Sequence, residues 1–345
     1  MNRIIIIGNG FDLAHGLKTS YRDFINDFWE KEKKKVLSTG PCSYSGSNHE
    51  FLYEYIFDTQ EIYVKSPFAF KDLPDLSGYE WFNHLKKCSD IKIVFKNAFL
   101  DTISTKSWLQ NWVDIEEEYY QALNGCLTNK KDGAVEKLNR EFSEIKTALE
   151  TYLKTMPKPP HYYVGKNFQC LNKEILGMDG KPIDDMIFLN FNYTNTISYY
   201  TNHTNPIIYI HGNLLDPNNP IIFGYSNERD ERSKLIENER NKEYLRNIKT
   251  PEYLRTSNYR QLQMFVEAKD YEIFIAGHSC GLSDRTLLNM LFEHKHCYRI
   301  KVFYHKIDDV ADDFDNIRYN IYKLFDNKSV MLEKVVSKDL CNPLQ

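Results

Sequence analysis

Four isoleucines in succession, Ile4 to Ile7, run directly into Gly8-Asn9-Gly10. An unbroken β-branched run has no polar face to offer water, so it reads as a parallel strand covered on both sides. Such a strand needs helices above and below the sheet, and it predicts the central strand of an α/β fold. Further strand-like runs follow at 186–191 (MIFLNF), 207–210 (IIYI), 221–223 (IIF), 272–276 (EIFIA) and 300–304 (IKVFY), mostly before polar or glycine-containing turns. Between 38 and 180 such runs are few and helical periodicity takes over. The expected architecture is a Rossmann-like, mostly parallel sheet formed by 1–37 and 181–345, with 38–180 as a largely helical insertion.

Ser20-Tyr21-Arg22-Asp23 has capping-box spacing, and Tyr21, Phe24, Ile25, Phe28 and Trp29 then recur at helical intervals, predicting a helix over about 21–35. Helices are also expected over 107–124 and 134–155. In the first of these, Trp108, Trp112, Ile115 and Tyr119 form an apolar stripe that places Glu116 inward, where a carboxylate needs a partner. The densely charged stretch 227–255 reads as a solvated helix or a flap.

A hydrophobic content of 42% and a charged content of 27% are ordinary globular values. The net charge of -4 lacks the basic bias of a dedicated nucleic-acid binder, and short runs such as Lys31 to Lys35 read as solvated helix faces. Seven dispersed cysteines with no C-x-x-C pair suit a reducing compartment. The apolar run at 4–7 is too short for a signal segment or a membrane span, so a cytoplasmic protein without membrane contact is expected.

The candidate chemistry lies where strand runs meet turns. Gly8-Asn9-Gly10-Phe11-Asp12 allows close backbone approach to a phosphate or ribose, but Leu13 breaks the full dinucleotide fingerprint, and a plain tight turn is the bland alternative. Asn192 can orient a water or a ribose hydroxyl, or merely cap a loop. His211, followed by Gly212, can act as a general base near neutral pH, although a lone strand-end histidine is more often structural. In Ala276-Gly277-His278-Ser279-Cys280-Gly281, Gly277 and Ser279 can receive a nucleoside, and Asp284 can accept ribose hydroxyls or cap the next helix. GHSCG also matches a hydrolase elbow, with His211 or His305 as base, but the chain order of acid and histidine is wrong for it. His294, His296 and Cys297 lack a distant second ligand pair, so no metal is expected.

Taken together, IIIIGNGFDLAHGLKTSYRDF at 4–24, WVDIEEE at 112–118, FLNFNYTNT at 188–196, YIHG at 209–212 and AGHSCGLSD at 276–284 resemble the bacteriophage abortive infection AbiH family. The motif order also resembles sirtuin-like NAD-consuming domains. In that comparison the GNGFD loop meets the cofactor, Asn192 matches the sirtuin Asn, His211 matches the His-Gly base, and Gly277 and Ser279 match the residues on the adenosine side. Thr194 replaces the sirtuin Asp, and no four-cysteine module is present, which disfavours deacylation and leaves NAD cleavage. The resemblance thus implies an antiphage protein that hydrolyses NAD through Asn192 and His211. Gly8, Asn9, Gly10, Phe11 and Asp12 would hold the pyrophosphate and ribose, and Gly277, Ser279 and Asp284 the adenosine half. NAD is substrate or ligand here and no further cofactor is required. A phage-derived trigger and a homo-oligomer fit this role. The competing class is a non-catalytic nucleotide sensor; a serine hydrolase or a nucleic-acid-directed toxin ranks lower.

Overall fold

The computed structural model describes residues 1–39, 43–44, 53–66, 70, 75–106, 112–157, 174, 182–201, 205–226 and 230–344. Trp108 lies outside them. The described residues form two compact units. One comprises Met1–Thr19, Tyr119–Lys130 and Leu153–Gln345, and the other Ser20–Glu118 and Lys131–Tyr152.

Ten strands occur among the described residues: β1 (Asn2–Ile7), β2 (Ser43–Tyr44), β3 (Tyr53–Ile56), β4 (Gln60–Val64), β5 (Ile91–Phe95), β6 (Met186–Asn190), β7 (Ile207–Tyr209), β8 (Tyr271–Ala276), β9 (Cys297–Tyr304) and β10 (Asn342–Pro343). In the first unit, six strands form one sheet in the order β10-β9-β8-β1-β6-β7. Every pairing in it is parallel. The fold is therefore α/β with a parallel sheet, and β1 is an interior strand as its isoleucines required.

All six β1 residues are buried. Ile4 and Ile6 join one apolar cluster with Leu189, Ile208 and Ile273. Ile5 and Ile7 join another with Phe188 and Phe274 on the opposite face. Each fully buried isoleucine contributes roughly 1.5–3 kcal/mol relative to exposure. The sheet also buries charge: Arg3, 1% exposed, donates through Nε to Glu272 at 2.7 Å, Arg299 reaches the other Glu272 oxygen at 2.6 Å, and the Arg3 guanidinium lies over the Phe274 ring.

Two short segments depart from expectation. The run 221–223 is buried but is not a strand; Pro220 precedes it, and the Ile222 N–H donates to the His211 carbonyl in a loop contact. The carboxyl-terminal pair Asn342–Pro343 adds a sixth strand that its sequence does not advertise.

The second unit is not purely helical, because β2–β5 make an antiparallel sheet. Its strands are short and half-buried, as in Gln60–Val64, where inward and outward residues alternate. The helix Tyr21–Thr39 belongs to this unit, so the composition shift at 38 does not coincide with the division between units. Packing explains this: Trp29 stacks on Phe82 at 4.0 Å, and Gly78 sits so tightly on that helix that a Cβ would come within 2.2 Å of the Glu30 nitrogen. Ser20 and Asp23 form the expected reciprocal cap. Helices Trp112–Asn129 and Ala134–Lys154 also match expectation, and Glu116 is buried.

Candidate functional site at the carboxyl ends of the parallel strands

Register brings the strand ends level. Ile7 pairs with Asn190 on one side and with Ala276 on the other, and Asn190 pairs with Tyr209. Hence Gly8, Phe191, Ile210 and Gly277, the residues that leave these four strands, emerge along one edge. From β1 the chain builds outward to β6 and β7, then returns to β8 on the other side of β1. The topological switch therefore lies between β1 and β8, where open α/β sheets place ligand crevices.

At that switch the two glycine loops touch through their backbones. Gly10 N–H donates to the Gly277 carbonyl at 2.7 Å, Gly8 N–H to Ala276 at 3.3 Å, and Phe11 N–H to Gly8 at 2.9 Å. Three of the N–H groups expected to face an anion, those of Gly8, Gly10 and Phe11, are thus bonded within the protein. Gly277 has φ +73°, and a Cβ there would approach the Phe11 nitrogen to 2.1 Å. The glycine at this position is required by both conformation and contact.

Asn192 joins this cluster as a brace. Its side-chain amide donates to the Gly8 carbonyl at 2.9 Å, while its own N–H is held by Asn190 Oδ1 at 3.0 Å. The Asp12 carboxyl is buried beside it. Oδ2 accepts from the Thr194 hydroxyl, and Oδ1 has no hydrogen-bond partner among the described residues. Burial raises the Asp12 carboxyl to about 6, against the lowering influence of Thr194, Thr196 and Asn192. A carboxylate with one unfilled buried oxygen is suited to accept a ligand hydroxyl.

The second cluster centres on His211, which is 4% exposed. Its Nε2 lies 3.2 Å from Asp284 Oδ1 and 3.2 Å from the Tyr253 hydroxyl. The Lys249 ammonium donates to the same Asp284 oxygen at 2.7 Å, and His278 Nε2 lies 3.6 Å from Asp284 Oδ2. The Phe191 ring packs against both imidazoles, at 4.9 Å from His211 and 4.4 Å from His278.

The charges inside this cluster balance. Burial alone would push Asp284 upward, but Lys249 and the two histidines hold its carboxyl far below the usual range. Burial, with Lys249 adding to it, lowers His211 despite the opposing pull of Asp284. Burial lowers His278 to about 4. At neutral pH the ammonium and carboxylate cancel and both imidazoles are neutral, so His211 can accept a proton.

Asp284, expected to contact an adenosine, sits beside the candidate base. Ser279 stands apart: it is exposed, and its carbonyl accepts from Asn320 at 2.9 Å. Both His211 and His278 direct Nε2 to Asp284, and the left-handed non-glycine residue of the turn is Cys280 at φ 55°, so the GHSCG turn does not assemble a serine–histidine pair. Burial raises the Cys280 thiol, which removes it as a thiolate nucleophile. His294 and His296 pair with Glu267 and Asp270, and no metal-holding cluster occurs among the described residues.

Lys249, Tyr253 and His278 are not among the candidates read from the sequence. Lys249 and Tyr253 come from the charged stretch, which is therefore more than a solvated surface. Tyr225 ties the stretch down by stacking on Tyr120 at 4.1 Å, and Tyr225 N–H donates to the Asn247 carbonyl at 3.1 Å.

Fold and site together define an α/β protein with a buried acid–base cluster at the carboxyl edge of a parallel sheet. The family model for bacteriophage abortive infection AbiH matches residues 4–305, and the chain belongs to that family. No curated protein and no solved structure matches it. No helix among the described residues is long and apolar enough to cross a membrane.

Proposed function

We propose that this abortive-infection protein cleaves NAD between nicotinamide and ribose, yielding nicotinamide and ADP-ribose. The observation that carries the reading is a buried His211 next to Asp284, on the sheet edge that also holds Asn192, Asp12 and the Gly8–Gly10 turn. Cleavage of the glycosidic bond develops positive charge on the ribose, and the reaction needs a base for the incoming water. His211 is that base. The buried Asp12 Oδ1, which has no hydrogen-bond partner among the described residues, accepts a ribose hydroxyl, with Asn192 bracing the adjacent Gly8 loop. Gly277 and the exposed Ser279 border the adenosine half. The likeness to sirtuins, which supports NAD as the substrate, rests on motif order.

A sensing role is the second reading, favoured by one observation: both neighbours of His211 Nε2 are filled by the protein's own Tyr253 and Asp284. A ligand that displaced Tyr253 would reorganise the charged segment without any bond being broken. Purified protein incubated with NAD, its products separated by chromatography, decides between them. Nicotinamide and ADP-ribose from the wild type, lost by about 10²-fold or more in His211→Ala, support catalysis. Intact NAD together with ligand-induced protection of the fold supports sensing.

A further inference from the structure

Lys249 occupies a position that a surface lysine does not. Its side chain is fully buried and its ammonium lies 2.7 Å from Asp284 Oδ1, the same oxygen that faces His211 Nε2 at 3.2 Å. One carboxylate oxygen therefore faces two basic groups, the Lys249 amine and the His211 imidazole. We propose that Lys249 is a positioning residue that neutralises the Asp284 carboxylate, keeping His211 a neutral base until a proton arrives from substrate water. The inference rests on the reading of His211 as the base.

The physical argument is electrostatic. A buried Asp–His pair without Lys249 would carry one uncompensated negative charge, and the cheapest remedy is to protonate the imidazole. With Lys249 present the cluster is already neutral, and a second proton on His211 would leave a net positive charge in the interior. The groups facing His211 from every neighbouring element are Asp284 ahead of the helix Arg285–Glu293, Lys249 and Tyr253 from the charged segment, His278 after β8, and the uncharged rings of Phe191 and Tyr193. Lys249 is the single amine among them, and it lies against the Asp284 carboxylate. It also anchors its segment, since Lys249 N–H donates to the Tyr225 carbonyl at 3.0 Å and the adjacent Thr250 hydroxyl meets Ser226 at 2.8 Å.

The test is a histidine titration by NMR on the full chain with labelled imidazole carbons, the His211 signal assigned by its loss in His211→Ala. Lys249→Met should move the His211 midpoint up by about one pH unit or more, and Lys249→Arg should leave it near the wild-type value. The acid limb of NAD cleavage should move with the midpoint. If Lys249→Met does not fold, Asp284→Asn gives the opposite sign: the midpoint falls further because the carboxylate that favours the imidazolium is gone. A His211 midpoint that stays put in whichever of these variants folds overturns the inference. Midpoints that move as expected in a protein that leaves NAD intact would sink the proposed reaction while leaving the role of Lys249 standing.

Discussion

Gly277→Ala should unlock the sheet-edge site from a position that carries no functional group. Two costs add. Alanine in the left-handed region costs about 1–2 kcal/mol. Its Cβ would also lie 2.1 Å from the Phe11 nitrogen and 2.6 Å from the Gly10 carbonyl carbon, both backbone atoms that no rotamer can move aside. The loops must separate, which gives up the 2.7 Å Gly10–Gly277 hydrogen bond, a further ~1 kcal/mol. The expected total is about 2–3 kcal/mol. Gly125→Ala is the control: this glycine lies inside the helix Trp112–Asn129 and, its own helix backbone aside, no atom stands within 4 Å of where a methyl would be, so alanine should stabilise by roughly 0.5–1 kcal/mol. Urea denaturation of both variants alongside the wild type measures the pair. A Gly277→Ala loss below about 0.5 kcal/mol would refute the close backbone contact on which the site geometry depends.

Other perturbations have defined signs. Glu272→Gln leaves Arg3 buried without its carboxylate and should cost about 3–5 kcal/mol in the same denaturation assay. Asp12 titrates at about 6 in the folded chain against an ordinary 3.8, so between these values the folded state holds a proton that the unfolded chain has lost. That contribution is full below the ordinary value and is lost as pH rises through about 6, a change on the order of 3 kcal/mol. His278, lowered to about 4, acts with the opposite sign over an overlapping window. Asp12→Asn must therefore be read as a difference from wild type at each pH, and the variant should gain relative stability from about pH 4 to about pH 7; a flat difference would contradict the burial of that carboxyl.

Legibility in the sequence follows how local the cause is. β1, β6 and β8 are plain because strands covered on both faces must be apolar throughout. The strand ends then point to Gly8, Asn192, His211 and Gly277 as residues of one edge. Lys249 is illegible because nothing local separates it from the lysines around it; its burial is decided by Asp284, far along the chain. Tyr253 is hidden in the same way, and His278 is masked by the glycine turn that carries it. Asp284 stands out in its motif, but its partners depend on the return of the charged segment to the sheet edge. The antiparallel β2–β5 sheet is faint because its strands are only two to five residues long and half-buried. The isoleucines of 221–223 mislead for the converse reason: their apolar character reports burial, but a strand also needs a continuous ladder of backbone partners.

The most direct test of the central claim is the NAD content of phage-infected cells expressing wild type, His211→Ala or Asn192→Ala at equal protein levels. NAD should collapse, with ADP-ribose and nicotinamide accumulating, only in the wild-type cells, and protection should be lost in both variants. Protection by the wild type while NAD holds constant would contradict NAD cleavage as the means of defence.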